Sequence, residues 1–286
     1  MTTRGGFSLI IVTVIAAGRA SESAETVAHR LTAECELRSI DKNATQIIVV
    51  SEEIDKVRGE LGSIDGVDIL AQRAACFPPK LFVADMDSTM IGQECIDELA
   101  AEVGLKDKVA AITERAMRGE LDFAEALRER LALLEGLEVS VIDRLLFNRI
   151  TPNPGARELI EGLKAAGVRC VLVSGGFTHF AKPIGELLGF DRVVANRLGV
   201  VDGKLTGKVE GDIVDADTKR RVLLEEAGDE VERSVAIGDG ANDLKMMEVA
   251  GLGIAYRAKP KVAAQADARL NHASLDSLLV ALLPRA

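Results

Sequence analysis

The chain has 286 residues, of which 48% are hydrophobic and 3% aromatic, and its formal net charge is −10 at pH 7. This acidic balance argues against a nucleic-acid-binding protein, because binding to a phosphate backbone needs basic surface that displaces counterions. The four cysteines show no C-x-x-C spacing and do not indicate a disulfide framework, so they are typical of a reduced, cytoplasmic protein. The three histidines are too scattered to indicate a metal site.

The first apolar segment, Phe7 to Ala17, has two interpretations. It follows Arg4 and precedes small residues, as the apolar region of a secretory signal does. However, it is shorter than the roughly 20 apolar residues that span a bilayer, and its β-branched residues favour a strand. We therefore predict a buried strand and no membrane association, with a cleaved signal as the alternative.

Residues 1–78 are predicted to form a small α+β domain. A strand near 8–16 is followed by a helix over 23–33, strands near 35–40 and 46–50, a helix near 53–61 and a strand near 67–71. This order of elements is that of a ferredoxin-like fold. Pro78-Pro79 marks its end.

Residues 79–286 are predicted to form a doubly wound α/β domain. Apolar strands near 81–84, 170–173, 192–195, 234–237 and 252–255 alternate with helical segments, which predicts a parallel sheet with helices on both faces. Within 197–209, Asp202-Gly203 predicts the tight turn of a hairpin. Ligands of such sheets bind at the carboxyl edge of the strands.

A helical insertion at about 92–150 separates the first two of these strands. It contains four helical patterns, over 93–103, 106–117, 123–134 and 139–147, and no strand pattern. Asp122 and Glu125 have the spacing of a capping box for the third helix. Because the segment is too long for a plain crossover, we predict a helical cap over the carboxyl edge.

Chemically active side chains follow three of the predicted strands. The first strand ends in Asp85-Met-Asp87-Ser-Thr, and both carboxylates face one crevice because alternate residues of an extended segment point the same way. Ser174-Gly-Gly follows the second strand, and Gly238-Asp-Gly-Ala-Asn-Asp243 follows the fourth. Together with Lys219, these groups indicate a site for Mg²⁺ and a phosphoryl group.

These four motifs resemble those of the haloacid dehalogenase (HAD) superfamily of phosphotransferases, over roughly 80–286. Within it the chain is most similar to the phosphoserine phosphatases. The resemblance implies a HAD-like Rossmannoid sheet with a helical cap, and an ACT-like identity for 1–78, to which we assign no ligand. It also implies Mg²⁺-dependent hydrolysis of the small molecule O-phospho-L-serine to L-serine and phosphate, the last step of serine biosynthesis.

The resemblance gives each motif a role in catalysis. Asp85 is implied as the nucleophile that forms an aspartyl-phosphate, which divides one difficult hydrolysis into two steps. Asp87 is implied as the general acid and then the general base. Ser174, Gly175 and Lys219 would hold the phosphoryl oxygens, whose charge spreads in the transition state.

The metal ligands implied by the resemblance are Asp85, Asp239 and the backbone carbonyl of Asp87, with Asp243 one layer further out. These are the hard oxygen donors that Mg²⁺ prefers.

In the cap, the resemblance implies that Glu94 meets the substrate ammonium and Arg130 its carboxylate, which suits the forked guanidinium. It further implies substrate contacts from Met117, Phe123 and Asn242. Arg128, two positions before Arg130, points about 200° away on a helix, so only one of the two arginines can face the pocket.

Three alternatives stay open at this point. A phosphotransferase that passes the phosphoryl group to another alcohol would use the same acid and base, and a phosphatase for another small phosphomonoester would use the same motifs. A non-catalytic binding module is opposed by the intact set of Asp85, Asp87, Lys219 and Asp239. The sequence does not determine the oligomeric state, and a homodimer stays open.

Overall fold

The computed structural model describes residues 8–117 and 120–283, which form two sheets and the helices around them. None of the described helices is long and apolar enough to cross a membrane.

The amino-terminal unit is a four-stranded antiparallel sheet covered on one face by two helices. Its elements are β1 (Leu9–Ile15), α1 (Ala20–Ala28), β2 (Cys35–Asp41), β3 (Ala44–Val50), α2 (Ile54–Leu61) and β4 (Asp68–Arg73). The strand order is β2-β3-β1-β4, as in a ferredoxin-like fold. Alternate residues of β1, Ile10, Val12 and Val14, are fully buried and belong to the core of this unit.

The helix predicted over 23–33 is wrong in its bounds, because α1 ends at Ala28. Beyond it the chain bonds to α2 instead of continuing the helix. The backbone N–H and the hydroxyl of Thr32 donate to the two carboxylate oxygens of Glu60 at 2.9 and 2.7 Å, and Arg30 Nη1 donates to the carbonyl of Leu61 at 2.7 Å. These partners are distant in sequence, so local periodicity could not reveal them.

The second unit is built on a seven-stranded, mostly parallel sheet, which confirms the predicted fold class. Its strands are β5 (Leu81–Ala84), β6 (Arg169–Phe177), β7 (Arg192–Val201), β8 (Lys204–Glu210), β9 (Ser234–Gly238), β10 (Leu252–Tyr256) and β11 (Ala268–Leu270). They lie in the order β11-β10-β9-β5-β6-β7-β8, and only β8 runs antiparallel to its neighbour. The turn from β7 to β8 has positive φ at Asp202 (48°) and Gly203 (75°), as a tight hairpin turn requires.

Ten further helices lie around this sheet in the described part of the chain. They are α3 (Cys95–Glu102), α4 (Lys106–Met117), α5 (Phe123–Ala132), α6 (Ser140–Asn148), α7 (Ala156–Ala165), α8 (Thr178–Leu188), α9 (Ala216–Ala227), α10 (Leu244–Val249), α11 (Pro260–Ala263) and α12 (Leu278–Leu282). The first four form the inserted cap. The predicted capping box is present at α5: Glu125 N donates to Asp122 Oδ1 at 2.7 Å, and Asp122 N donates to Glu125 Oε2 at 2.9 Å.

The amino-terminal unit is docked on the carboxyl-terminal segment of the second unit. The buried carboxylate of Asp68 accepts the backbone N–H groups of 271–273 at 2.7 to 3.3 Å. The buried amides of Gln46 and Gln72 donate to the carbonyls of Val280 and Ala281 at 3.3 and 2.6 Å. Ile15 and Leu70 belong to the main core of the second unit. The two units therefore share a buried interface.

Candidate active site

Three neighbouring strands of the sheet carry the predicted motifs. In the order β9-β5-β6, they lead to Asp239, to Asp85 and to Ser174. Ala84 at the end of β5 pairs with Ile237 on one side and Leu172 on the other, so the residues that follow lie side by side. A cavity of about 600 Å³ lies between this edge and the cap, and its lining includes Asp85, Asp87, Ser174 and Asp239.

A cluster of three carboxylates and one ammonium lies at the sheet side of this cavity. Asp85, Asp239 and Asp243 each offer an oxygen within 4.8 Å of the others. Lys219, which α9 places here without any exposed surface, has its Nζ 2.7 Å from Asp85 Oδ1 and 2.7 Å from Asp243 Oδ1. The structure thus brings Asp243 directly into the carboxylate cluster, whereas the carboxylate of Asp87 is not one of the three.

The electrostatics of this cluster indicate uncompensated negative charge. Burial, and then the nearby Asp243, raise the pKa of Asp85 well above its usual value and that of Asp239 to about 7. Burial alone would lower the pKa of Lys219, but the carboxylates of Asp243 and Asp85 raise it overall. When all are ionised, three carboxylates against one ammonium leave two negative charges, which fits a divalent cation held by hard oxygens.

Asp87 lies beside the cluster in a different environment. Its Oδ1 is buried without a hydrogen-bond partner among the described residues. Burial, and then the charge of Glu94, raise the pKa of Asp87 to about 7. Asp87 also lines the cavity, and a carboxyl that stays partly protonated there near neutral pH is suited to exchange a proton with a bound molecule.

The loop after Ser174 forms the wall next to Asp87. Ser174 is buried, and its Oγ accepts the backbone N–H of Gly176 at 2.9 Å. A Cβ at Gly176 would lie 2.9 Å from Asp87 Oδ2 and 3.0 Å from Ser174 Oγ, so only glycine fits this place without displacing them. A Cβ at Gly175 would lie 3.0 Å from the ring of Phe123, which shows how closely the cap covers this loop.

The cap adds two of the predicted substrate contacts, one acidic and one basic, to the lining of the cavity. Glu94 accepts the hydroxyl of Ser88 at 2.6 Å, and burial raises its pKa. Arg130 lines the cavity and its Nε donates to the carbonyl of Ala126 at 3.2 Å. Arg128 is exposed and is not part of the lining, as the helical geometry predicted. Phe123, Gly175 and Asn242 also line the cavity, while the side chain of Met117 lies outside the described part of the structure.

Sequence reasoning did not assign a role to two polar residues that support the site. The fully buried Thr89 donates its hydroxyl to Asp239 Oδ1 at 3.0 Å. The amide of Asn153, just after the cap, donates to the carbonyls of Thr89 and Ile91 at 2.8 and 3.1 Å. Thr89 stands within the first motif and could have been suspected there, but nothing local to Asn153 indicates its partners.

The chain is similar to known proteins in sequence and in fold. A family model described as haloacid dehalogenase-like hydrolase matches residues 82–248. A phosphoserine phosphatase from Idiomarina loihiensis is 53% identical over 202 residues, which cover 70% of this chain and 91% of that protein.

Two solved structures are similar in fold. A HAD family hydrolase from Salmonella enterica serovar Typhi superposes with a TM-score of 0.84 at 27% identity, over 97% of this chain and all of that one. A structure described as a phospho-aspartyl intermediate analogue of phosphoserine phosphatase superposes with a TM-score of 0.66 at 42% identity, over 71% of this chain and 99% of that one. The first of these matches spans both units.

Proposed function

Since the chain belongs to the haloacid dehalogenase-like hydrolase family and is a phosphoric monoester hydrolase, we propose that it cleaves O-phospho-L-serine into L-serine and phosphate. One observation carries the choice of substrate: besides the phosphoryl-binding groups, the lining of the cavity includes both an acid and a base, Glu94 and Arg130. Phosphoserine has an ammonium and a carboxylate beyond its phosphate, and these need partners of opposite charge in separate places. The relative and the solved structure described as phosphoserine phosphatases support this choice.

In the first step a carboxylate oxygen of Asp85 attacks the phosphorus atom. The bond from phosphorus to the serine oxygen breaks, and that oxygen takes the proton of the Asp87 carboxyl, whose raised pKa keeps it available near neutral pH. L-Serine leaves, and Asp85 carries the phosphoryl group as an aspartyl-phosphate. The similar structure described as a phospho-aspartyl intermediate analogue supports this route.

In the second step the Asp87 carboxylate takes a proton from a water molecule while the water oxygen attacks phosphorus. The bond from phosphorus to Asp85 breaks, and its electron pair returns to the Asp85 carboxylate. Inorganic phosphate leaves, and Asp87 is again protonated, so the enzyme is ready for another turnover. Throughout, Lys219 stabilises Asp85, and Ser174 donates a hydrogen bond to a phosphoryl oxygen.

Asp85, Asp239 and Asp243 are the carboxylates that would hold Mg²⁺, together with the backbone carbonyl of Asp87. When bound, the ion would neutralise charge on the phosphoryl oxygens. The two negative charges that the cluster leaves uncompensated support a divalent ion.

The remaining parts of the proposal concern the protein as a whole. We place the reaction in the cytoplasm, as the last step of serine biosynthesis. We assign residues 1–78 to an ACT-like domain and residues 79–286 to the phosphatase domain, with the cap at about 92–150. A homodimer stays a prediction.

Steady-state phosphate release in the presence of Mg²⁺ tests the proposal, with O-phospho-L-serine measured against sugar and nucleotide monophosphates. We expect phosphoserine to have the highest kcat/KM, Asp85→Asn to abolish turnover while its circular dichroism stays that of the wild type, and a chelator to stop turnover reversibly. Equal rates with sugar phosphates would remove the substrate assignment. Phosphate transfer to added alcohols in place of release would favour a phosphotransferase.

A further inference from the structure

Asn196 connects the two loops that deliver the phosphoryl-binding groups. It lies in β7, has 1% of its surface exposed, and uses both ends of its side-chain amide. Nδ2 donates to the carbonyl of Gly175 at 2.7 Å, and Oδ1 accepts the backbone N–H of Val214 at 2.8 Å. Gly175 follows Ser174, and Val214 precedes the helix that carries Lys219.

The hydrogen bond from Asn196 to the carbonyl of Gly175 compensates for an irregularity in the strand pairing. Ser174 pairs with Ala195 and Phe177 with Asn196, so Gly175 and Gly176 bulge out of the ladder between β6 and β7. A bulge removes backbone groups from their ladder partners, and buried backbone groups need replacements. The side chain of Asn196 supplies one for the carbonyl of Gly175.

This contact also orients the hydroxyl of Ser174. The carbonyl of Gly175 and the N–H of Gly176 belong to one planar peptide group. Asn196 holds the carbonyl end, and Ser174 Oγ accepts from the N–H end at 2.9 Å. The hydroxyl oxygen thus accepts from inside the protein, and its hydrogen stays available as a donor to a ligand in the cavity that Ser174 lines.

The second contact fixes the start of α9. Val214 is followed by Asp215, whose carboxylate caps this helix by accepting the N–H of Thr218 at 2.8 Å. Lys219 lies one residue further, and its N–H donates to the carbonyl of Asp215 at 3.0 Å. A shift of Val214 would therefore move the ammonium of Lys219 relative to Asp85.

We propose that Asn196 is a positioning residue that keeps Ser174 and Lys219 at the separation needed to hold a transferring phosphoryl group. This inference rests on the proposed function. Asn196 touches neither Glu94 nor Arg130 in the described contacts, so it acts on the transferring phosphoryl group and not on recognition of the amino acid.

Two substitutions test the two hydrogen bonds of the Asn196 amide. Asn196→Leu is close in shape and removes both hydrogen bonds. Asn196→Asp keeps an acceptor for Val214 but sets an oxygen against the carbonyl of Gly175. The matched control is Gln72→Met, which removes a buried amide that donates to the carbonyl of Ala281 at 2.6 Å; neither residue lines the cavity.

Turnover is measured with O-phospho-L-serine and with p-nitrophenyl phosphate, which lacks the ammonium and the carboxylate. We expect Asn196→Leu to lower kcat about 10²-fold for both substrates, with KM nearly unchanged, because small displacements of positioning groups have effects of this size. Asn196→Asp should lower kcat for both in the same way, orthovanadate should inhibit both variants more weakly than the wild type, and Gln72→Met should keep the wild-type kcat.

Several results would overturn the inference: a wild-type kcat in folded Asn196→Leu, a loss equal to that of Gln72→Met, or a loss confined to phosphoserine. Failure of both Asn196 variants to fold would also overturn it, since the residue would then be required for stability alone. A wild-type protein that cleaves p-nitrophenyl phosphate but not phosphoserine would remove the proposed substrate, while the p-nitrophenyl phosphate rates would still decide the role of Asn196.

Discussion

Replacing Lys219 by methionine removes the single ammonium between two buried carboxylates. In the folded protein its Nζ lies 2.7 Å from both Asp85 Oδ1 and Asp243 Oδ1, and the three side chains are 0%, 7% and 0% exposed. Methionine fills most of the same space, so the loss is one of charge and not of packing. Removing one partner of a buried ion pair leaves uncompensated charge, and we expect the free energy of unfolding to fall by about 3–5 kcal/mol.

Lys245→Met is the matched control. The Nζ of Lys245 also lies 2.7 Å from a carboxylate oxygen, that of Asp217, but the two side chains are 50% and 72% exposed. Water solvates both charges when the pair is broken, so the control should change the free energy of unfolding by about 0–1 kcal/mol. The substitution and the shortest distance are the same, while burial differs and Lys219 binds two carboxylates where Lys245 binds one.

The assay is urea unfolding followed by far-ultraviolet circular dichroism, because the chain has no tryptophan and one tyrosine. A chelator is present throughout, since an ion bound to the native carboxylates would stabilise the fold and mask the difference. Equal losses in the two variants, or a Lys219→Met protein within about 1 kcal/mol of the wild type, would refute this account of the buried cluster.

Three further substitutions test the cavity wall. Asp87→Asn should lower kcat about 10²- to 10⁴-fold, the usual contribution of a general acid, and an unchanged steady-state rate would remove Asp87 from that role. Arg130→Lys should raise KM for phosphoserine but not for p-nitrophenyl phosphate, whereas Arg128→Lys should change neither, so equal effects of the two would contradict the pocket assignment. Gly176→Ala should lower kcat, because its Cβ would lie within 3.0 Å of oxygens of Asp87 and Ser174. The control Gly59→Ala has open space around its Cβ and should keep the wild-type kcat. Thermal melting should show that this control stabilises α2 by about 0.5–1 kcal/mol.

The convergence of the motifs was predictable because it depends on local patterns and one topological rule. Apolar runs fixed where strands such as β5 and β9 end, and parallel strands present their carboxyl ends at one edge. Asp243 was predicted one layer outside the metal ligands, whereas its oxygen lies within 4.8 Å of those of Asp85 and Asp239. This position depends on the tight turn after Asp239, in which the N–H of Gly240 donates to Asp243 Oδ2 at 3.0 Å.

Contacts between distant parts of the chain were beyond the sequence patterns. Asp68 bonds to backbone groups more than 200 residues away, and the short strand β11 has only three residues, too few for periodicity to reveal. Asn196 could have been noticed in the sequence, because asparagine is uncommon within an apolar strand. Its two partners, however, lie 21 and 18 positions away and could be recognised only in the folded protein.

The docking of the amino-terminal unit has a consequence for any attempt to shorten the protein. A fragment that begins after β4 would expose the N–H groups of 271–273, which Asp68 now holds, and the carbonyls that Gln46 and Gln72 cap. It would also uncover apolar surface around Ile15 and Leu70 that the main core now shares. Such a truncated enzyme would keep every residue of its cavity and yet expose an apolar surface beside β11 that favours self-association.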